Sequence, residues 1–298
     1  MRFASMRIRR RRQFARVPLY WALPAIVFTL AMHYVAIGAG AWYAFTDWNG
    51  VSHAHWIGLA NFRSIFGSSE ARGALWHTLE LAAAFVVTVN AIGLGLALGL
   101  HRAVKSRNVL RALFFAPVVV SPLAIAYVWQ YIFEYDGPLN RMLGVVGINS
   151  SRAWIGDPRW ALWTVFVVLV WQFAGLSMSF YLAGLQSISE EIDEAAAVDG
   201  ASSLFRFRRI TLPLLAPAMT VSVTLTTVFA LRVFDQVIAL TNGGPGVASE
   251  TLATQVYKQT FLNGRFGYGA AFALVLTALV AVVAFTQVLF LRAREARV

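Results

Sequence analysis

Two groups of residues carry chemistry beyond packing. The first is Glu190, Glu191, Asp193, Glu194 and Asp199, followed by Arg206, Arg208 and Arg209, in one polar stretch between apolar runs. Ser187 or Ser189 can cap a short helix there, and Glu190 and Glu191 in its first turn suit the helix dipole. Ile188, Ile192, Ala195 and Ala196 then share one face, while Glu190, Asp193 and Glu194 share the other. Gly200 supplies a sharp turn, after which Ser202 or Ser203 starts a second helix bearing Phe205 and Phe207. An acidic face, small alanines and exposed aromatics together suit docking of a partner. The competing reading is an amphipathic loop lying on a membrane surface.

The second group sits within or beside apolar runs. Arg232 and Asp235 are three residues apart, which on one helix puts them on roughly one face. Counted from Pro213, Arg232 lies 19 residues on, about 28 Å along a helix axis, so the pair falls near the far end of its run. Charge at membrane depth faces a cavity or a partner, so the pair either lines a pathway with Gln236 or is a structural ion pair or a snorkelling arginine at the membrane interface. Thr220, Thr224 and Thr227 form a hydroxyl stripe on the same run, and Trp171 with Gln172 interrupts the preceding one. Aromatic faces plus hydrogen-bonding groups suit a carbohydrate route, but threonines in membrane helices are also routine packing residues. Asn90 and Gln130 are weaker candidates of the same kind, and His33, with no carboxylate near it in sequence, reads as packing. The chain has no GxxxxGK[ST], HExxH or GxSxG pattern and no cysteine, so it offers neither a nucleotide-hydrolysing loop nor a hydrolase site.

These groups must be positioned by apolar helices. Of 298 residues 58% are hydrophobic and 13% charged, against about 25% charged in ordinary soluble domains. Six stretches lack Asp, Glu, Lys and Arg: Pro18–Phe45, Leu81–Leu100, Ala112–Phe133, Trp160–Gln186, Ile210–Leu231 and Phe266–Leu291. Each reaches the ~20 residues that a helix needs to cross ~30 Å of hydrocarbon. The expected fold class is therefore an all-α membrane protein with six transmembrane helices. The first run is too long for a signal peptide, whose apolar core is ~7–15 residues, and is read as retained.

The net charge of +11 sits at the ends of the runs rather than in a nucleic-acid-binding pattern. Seven basic residues precede Pro18, four lie between His101 and Arg111, three are Arg206, Arg208 and Arg209, and three follow Leu291. By the positive-inside bias these segments are cytoplasmic, and both termini with them. The segments on the other side, Asp47–Leu79, Glu134–Arg159 and Thr241–Arg265, hold seven basic residues between them. A short connection makes the second and third spans neighbours, and Gly95 with Gly99 gives a GxxxG that permits close helix packing.

The polar stretch resembles the EAA signature of ABC importer permeases. Glu194-Ala195-Ala196 is followed after three residues by Gly200, with Ala201 next, and after nine more by Ile210-Thr211-Leu212-Pro213. The run from Phe234 through Asp235, Gln236 and Thr241 to Asn242-Gly243-Gly244-Pro245 looks like the FD…LTxGGP segment of the first of two permeases in carbohydrate-uptake systems of the maltose and glycerol-3-phosphate type. Gly58–Phe62, Gly137–Asn140 and Leu182–Gln186 are further similar pieces; Ser189 and His77 depart where proline and asparagine are frequent.

The resemblance implies a type I ABC importer transmembrane domain over 18–292, between a basic segment 1–17 and a tail 293–298. Its coupling loop would run over 187–213 and dock into a cleft of the ATPase. It also implies a non-enzymatic half-pore in a bacterial inner membrane, a second permease subunit, two copies of a cytoplasmic ATPase carrying ATP and Mg, and an extracytoplasmic solute-binding protein facing Asn242–Pro245. This chain itself would bind no cofactor and no nucleic acid. The solute implied is a sugar or oligosaccharide, with a glycerol phosphate or phosphodiester as the alternative. A secondary transporter, the reading from another class, would need inverted repeats and buried carboxylates for the coupling ion.

Overall fold

The computed structural model describes residues 19–101, 106–148 and 152–295; apart from one antiparallel bridge between Thr46 and Trp56, their regular structure is helical. The segment 1–17, Arg102, Lys105 and the last residues of the tail lie outside the described residues. Two compact units divide the chain after Trp42. The first is essentially one helix, α1 (Leu23–Tyr43), with a π-helical turn over Ala31–Val35. Its side chains from Tyr20 to Ala39 are exposed, and His33 is exposed with them rather than packed. A helix apolar all round is one that lipid or a partner covers.

The second unit is a bundle. After a short helix α2 (Ala60–Gly67) comes α3 (Ser69–His101), whose 33 residues span about 50 Å. The connection expected over Asp47–Leu79 thus contains α2 and the first turns of α3, because Glu70 and Ser68 begin the helix well before the charge-free run. Next are α4 (Arg107–Val119) and α5 (Pro122–Phe133), bent by 99° at their junction. The third charge-free run is therefore not one straight helix. Pro122 disfavours helical backbone at Ser121, which adopts φ −54° and ψ 133°, with Val120 extended before it.

Then follow α6 (Pro138–Val145), α7 (Ala161–Gln186), α8 (Glu190–Val198) and α9 (Ser203–Leu214), the last with a π-helical turn over Phe207–Thr211. Between α9 and α10 (Ala216–Leu231) the axis turns by 67° at Leu215. Pro217 has no N–H and its ring crowds the carbonyl four residues back, so the fifth run bends there too. The chain closes with α11 (Asp235–Thr241), α12 (Leu252–Tyr257) and its π-helical continuation Lys258–Leu262, and α13 (Phe266–Glu295), which runs past the expected domain limit at 292. Among the described residues, four helices are long and apolar enough to cross a membrane, and up to six crossings result if each bent pair counts as one.

The centre of the bundle is α3 against α7, with α10 packed on both. Phe85, Val89, Val165, Val168, Leu169, Ala230 and Leu231 fill the middle, and Ala97, Met178, Tyr181, Leu185 and Leu215 the end towards α8. Close approach rests on glycines other than the expected pair. A Cβ on Gly93 would lie 2.4 Å from Ser177 Oγ, and one on Gly175 would lie 2.0 Å from the Phe114 carbonyl oxygen. Gly95 and Gly99 would meet nothing within 4 Å, so the GxxxG is not an intrachain contact. For the same reason α4 leans chiefly on α7, across Gly175, and only slightly on α3.

Candidate functional site

The polar stretch forms the two helices expected, joined at Gly200 with φ +80°. Their starts differ from expectation in one respect. Ser202 Oγ accepts from the Phe205 N–H at 3.4 Å, but Ser189, although at the N-cap of α8, makes no side-chain cap, and Ser187 Oγ donates to the Gly184 carbonyl at 2.7 Å. No residue of α8 is buried. Glu190, Glu194, Ala195 and Asp199 are exposed, as are Val198 at 88%, Leu204 at 59% and Phe205 at 55%. Ala196, Ala201, Ile210, Leu212 and Pro213 are half-buried on the way into α9. Arg206 Nη1 donates to Asp193 Oδ2 at 2.8 Å and to the Asp193 carbonyl at 3.1 Å. Beneath α8 lies a cavity of about 650 Å³, lined by His101, Arg107, Ile188, Glu190, Asp193, Glu194, Arg206 and Phe207.

A second cavity, of about 370 Å³, opens where α10 ends and α11 begins. Arg232, Asp235 and Gln236 line it together with Phe85, Phe173, Phe229, Phe234 and Pro122. The shared helix face expected for Arg232 and Asp235 does not exist, since Arg232 caps the end of α10 and Asp235 starts α11. No ion pair joins them among the described residues; the break brings both to one cavity instead. Gln236 Nε2 donates to Gln172 Oε1 at 2.9 Å, tying α11 to α7, and both are buried. Trp171 turns away, half exposed, against Trp129 with ring centroids 5.5 Å apart. The threonines do not line the cavity: Thr227 Oγ1 donates to the Val223 carbonyl, and Thr224 Oγ1 is buried without a hydrogen-bond partner.

Two further clusters were weak or absent in the sequence reading. Asn90, on α3, is a hub: its Oδ1 accepts from Ser222 Oγ at 2.7 Å, Tyr181 Oη at 3.0 Å and Ser177 Oγ at 3.4 Å, and its Nδ2 donates to Thr226 Oγ1 at 2.9 Å. It joins α3, α7 and α10 by hydrogen bonds in the bundle interior. The expected stripe was Thr220, Thr224 and Thr227; the hydroxyls that reach Asn90 are Ser222 and Thr226, one helical turn apart. The other cluster centres on Glu250, which is 2% exposed and accepts from Lys258 Nζ and Gln255 Nε2. Its carbonyl meets His77 Nδ1 at 3.1 Å, and Thr78 Oγ1 accepts from the Leu252 N–H at 2.9 Å. Together they pin the 241–262 segment to α3.

In that segment Asn242 is exposed in the left-handed region at φ +50°, whereas Gly243 is buried. A Cβ on Gly243 would come within 2.7 Å of Glu250 Cγ. Ser249 Oγ donates to Thr241 Oγ1 and to the Gly244 carbonyl, closing the turn around Pro245. Gln130 Nε2 donates to the Ala239 carbonyl at 2.7 Å and steadies the end of α11.

Comparison with known proteins decides the family. Residues 91–295 match the model of the binding-protein-dependent transport system inner membrane component. The chain belongs to this family. As such a membrane component it is 30% identical to a probable starch degradation products transport system permease of Thermoanaerobacterium thermosulfurigenes, over 93% of this chain and 94% of that one. It is 31% identical to a multiple sugar-binding transport system permease of Streptococcus mutans, covering 90% and 94% of the two chains. A crystal structure of a bacterial ABC transporter that imports the acidic polysaccharide alginate superposes with a TM-score of 0.78 at 25% identity, over 94% of this permease chain and 95% of that one. The ABC permease fold, the membrane-spanning helices and the kinship with sugar-system permeases are thereby established.

Proposed function

We propose that this chain is one of two permease subunits of a binding-protein-dependent importer for a sugar or oligosaccharide, residing in the bacterial cell membrane with both termini cytoplasmic. Its transmembrane domain, 18–292, forms half of the translocation pathway. It hydrolyses no ATP itself; two copies of a separate ATPase, carrying ATP and Mg, dock on the loop 187–213. A soluble binding protein delivers the solute to the opposite face, where Asn242 is exposed.

The observation that carries this reading is α8. It projects with no buried residue and offers Glu190, Glu194, Ile192 and Val198 to a surface outside the chain, in a family whose members work in multi-component systems. The outer cavity supports a pathway role for Arg232, Asp235 and Gln236. A carboxylate, a guanidinium and an amide around phenylalanine rings can hydrogen-bond hydroxyls and cover the apolar face of a sugar ring. Sugar-system relatives and the alginate importer's structure favour a saccharide over a glycerol phosphate.

The test is co-expression of the neighbouring permease, ATPase and binding-protein genes, followed by uptake of labelled maltooligosaccharides into ATP-loaded proteoliposomes. Uptake should require ATP and be abolished by Gly200→Asp, which forces a side chain onto φ +80° at the loop's turn. ATP-independent uptake driven by an ion gradient would overturn the importer reading.

A further inference from the structure

The helix α8 is tied to the rest of the chain by its two backbone ends and by one described ion pair. Its N-terminal end follows α7 through Ser187–Ser189. Its C-terminal end passes through Gly200, where φ is +80° and a Cβ would meet nothing within 4 Å; the Gly200 N–H donates to the Ala197 carbonyl at 3.1 Å and the Ala201 N–H to the Ala196 carbonyl at 3.0 Å across this turn. No residue of α8 is buried, and the cavity beneath it is lined by Leu98, Leu185, Ile188 and Ile210 beside its charged groups. Beyond these backbone bonds stands Arg206, whose Nη1 grips both the carboxylate and the backbone carbonyl of Asp193. The carbonyl contact ties Arg206 to the helix itself and not only to a flexible side chain.

Arg206 is also the last residue before the π-helical turn Phe207–Thr211, which winds into Leu214 and, across the bend at Leu215, into α10. At its far end α10 terminates in Arg232 at the outer cavity. An uninterrupted run of helical backbone therefore leads from Arg206 to the bend. Among the described residues, the side-chain hydrogen bond that crosses Gly200 is that of the Asp193–Arg206 pair.

We propose that Arg206 is a positioning residue for transport. Its pair with Asp193 is a strut that makes α8 and α9 move as one body, so that displacement of α8 turns α9 about Leu215 instead of dissipating at Gly200. This rests on the reading of loop 187–213 as the ATPase-docking element. An exposed ion pair adds little to stability in water, so the strut's role is geometric. Its attraction strengthens when a docked partner excludes water. Glu190, Glu194 and Arg107 line the same cavity and are, among the described residues there, the charged groups that compete for either member; His101 lies beside them.

The test uses the assembled complex with its ATPase and binding protein. The chain contains no cysteine, so Leu214→Cys on α9 and Val109→Cys on α4, both exposed, take spin labels at those two positions alone in this subunit. The distance between them is measured without nucleotide and with MgATP under turnover-blocking conditions. The MgATP-dependent shift seen in the parent should be lost in Asp193→Arg and in Arg206→Asp, with the ATPase still bound, and should return in the double exchange. Asp193→Asn, which removes the charge at constant size, is read in the same way where reversals block assembly. An unchanged shift in the single variants, or a double exchange as impaired as either single, overturns the strut alone. A parent chain that never retains an ATPase removes the coupling reading and the strut with it.

Discussion

Replacing Asn90 with leucine tests whether the buried polar hub holds the bundle together. The two side chains are of similar size, so the change removes hydrogen bonds without a large void. Four interhelical bonds disappear: from Ser222, Tyr181 and Ser177 to Oδ1, and from Nδ2 to Thr226. Ser177 and Ser222 keep each other at 3.1 Å, and Thr226 Oγ1 keeps the Ser222 carbonyl, so Tyr181 Oη bears most of the loss. Interhelical hydrogen bonds in membranes average ~0.6 kcal/mol, and an orphaned buried hydroxyl costs ~1–3 kcal/mol. The expected destabilisation is about 2–4 kcal/mol, read as a shifted unfolding midpoint when the purified subunit is titrated with sodium dodecyl sulfate in mixed micelles. Gln130→Leu, which removes only the bonds to the Ala239 and Leu240 carbonyls, should fall at about 1 kcal/mol or below. If Asn90→Leu is no worse than Gln130→Leu, the hub is incidental and the three helices are held by packing alone.

Gly175→Ala places a methyl group 2.0 Å from the Phe114 carbonyl oxygen and should destabilise by about 1–3 kcal/mol. Gly95→Ala, with nothing within 4 Å, should be neutral in the same titration. Equal effects would refute the assignment of the α4–α7 contact to Gly175. Glu250→Ala leaves Lys258, whose side chain is 20% exposed, without its carboxylate. It should loosen the 241–262 segment by about 3 kcal/mol, seen as faster hydrogen exchange there and at His77 and Thr78 but not at Asn90; uniform exchange would show the segment is held by other contacts.

Helix class, the approximate apolar runs and the two-helix pattern of 187–213 were legible because each rests on local composition or a fixed spacing. Gly200 needed only its own backbone preference to be read as a turn. The breaks at Ser121 and Leu215 were missed although Pro122 and Pro217 signal them, because a run without charged residues counts as one span whatever its prolines do. Arg232 and Asp235 were assigned one face on the assumption of an unbroken helix; the break at Val233–Phe234 instead gave them one cavity. Asn90 was undervalued because its hydrogen-bond partners on other helices lie 87 to 136 positions away. The Glu250 cluster depends on α3 and the 241–262 segment meeting in space, over a sequence separation no spacing rule covers.

The right-angled break between α4 and α5 constrains how the chain is made. Neither half, of 13 and 12 residues, is long enough to cross a bilayer alone. The first N–H groups of α5 and the carbonyls around Val120 have no helical partner, which hydrocarbon does not tolerate. This segment is therefore a poor candidate for release into lipid as a lone helix during biosynthesis. Burial of its break depends on α7, where Gly175 receives the Phe114 backbone. If the bent pair is one crossing, the order of synthesis makes it a dependent of α7, and a truncation before α7 should leave a product that the membrane rejects.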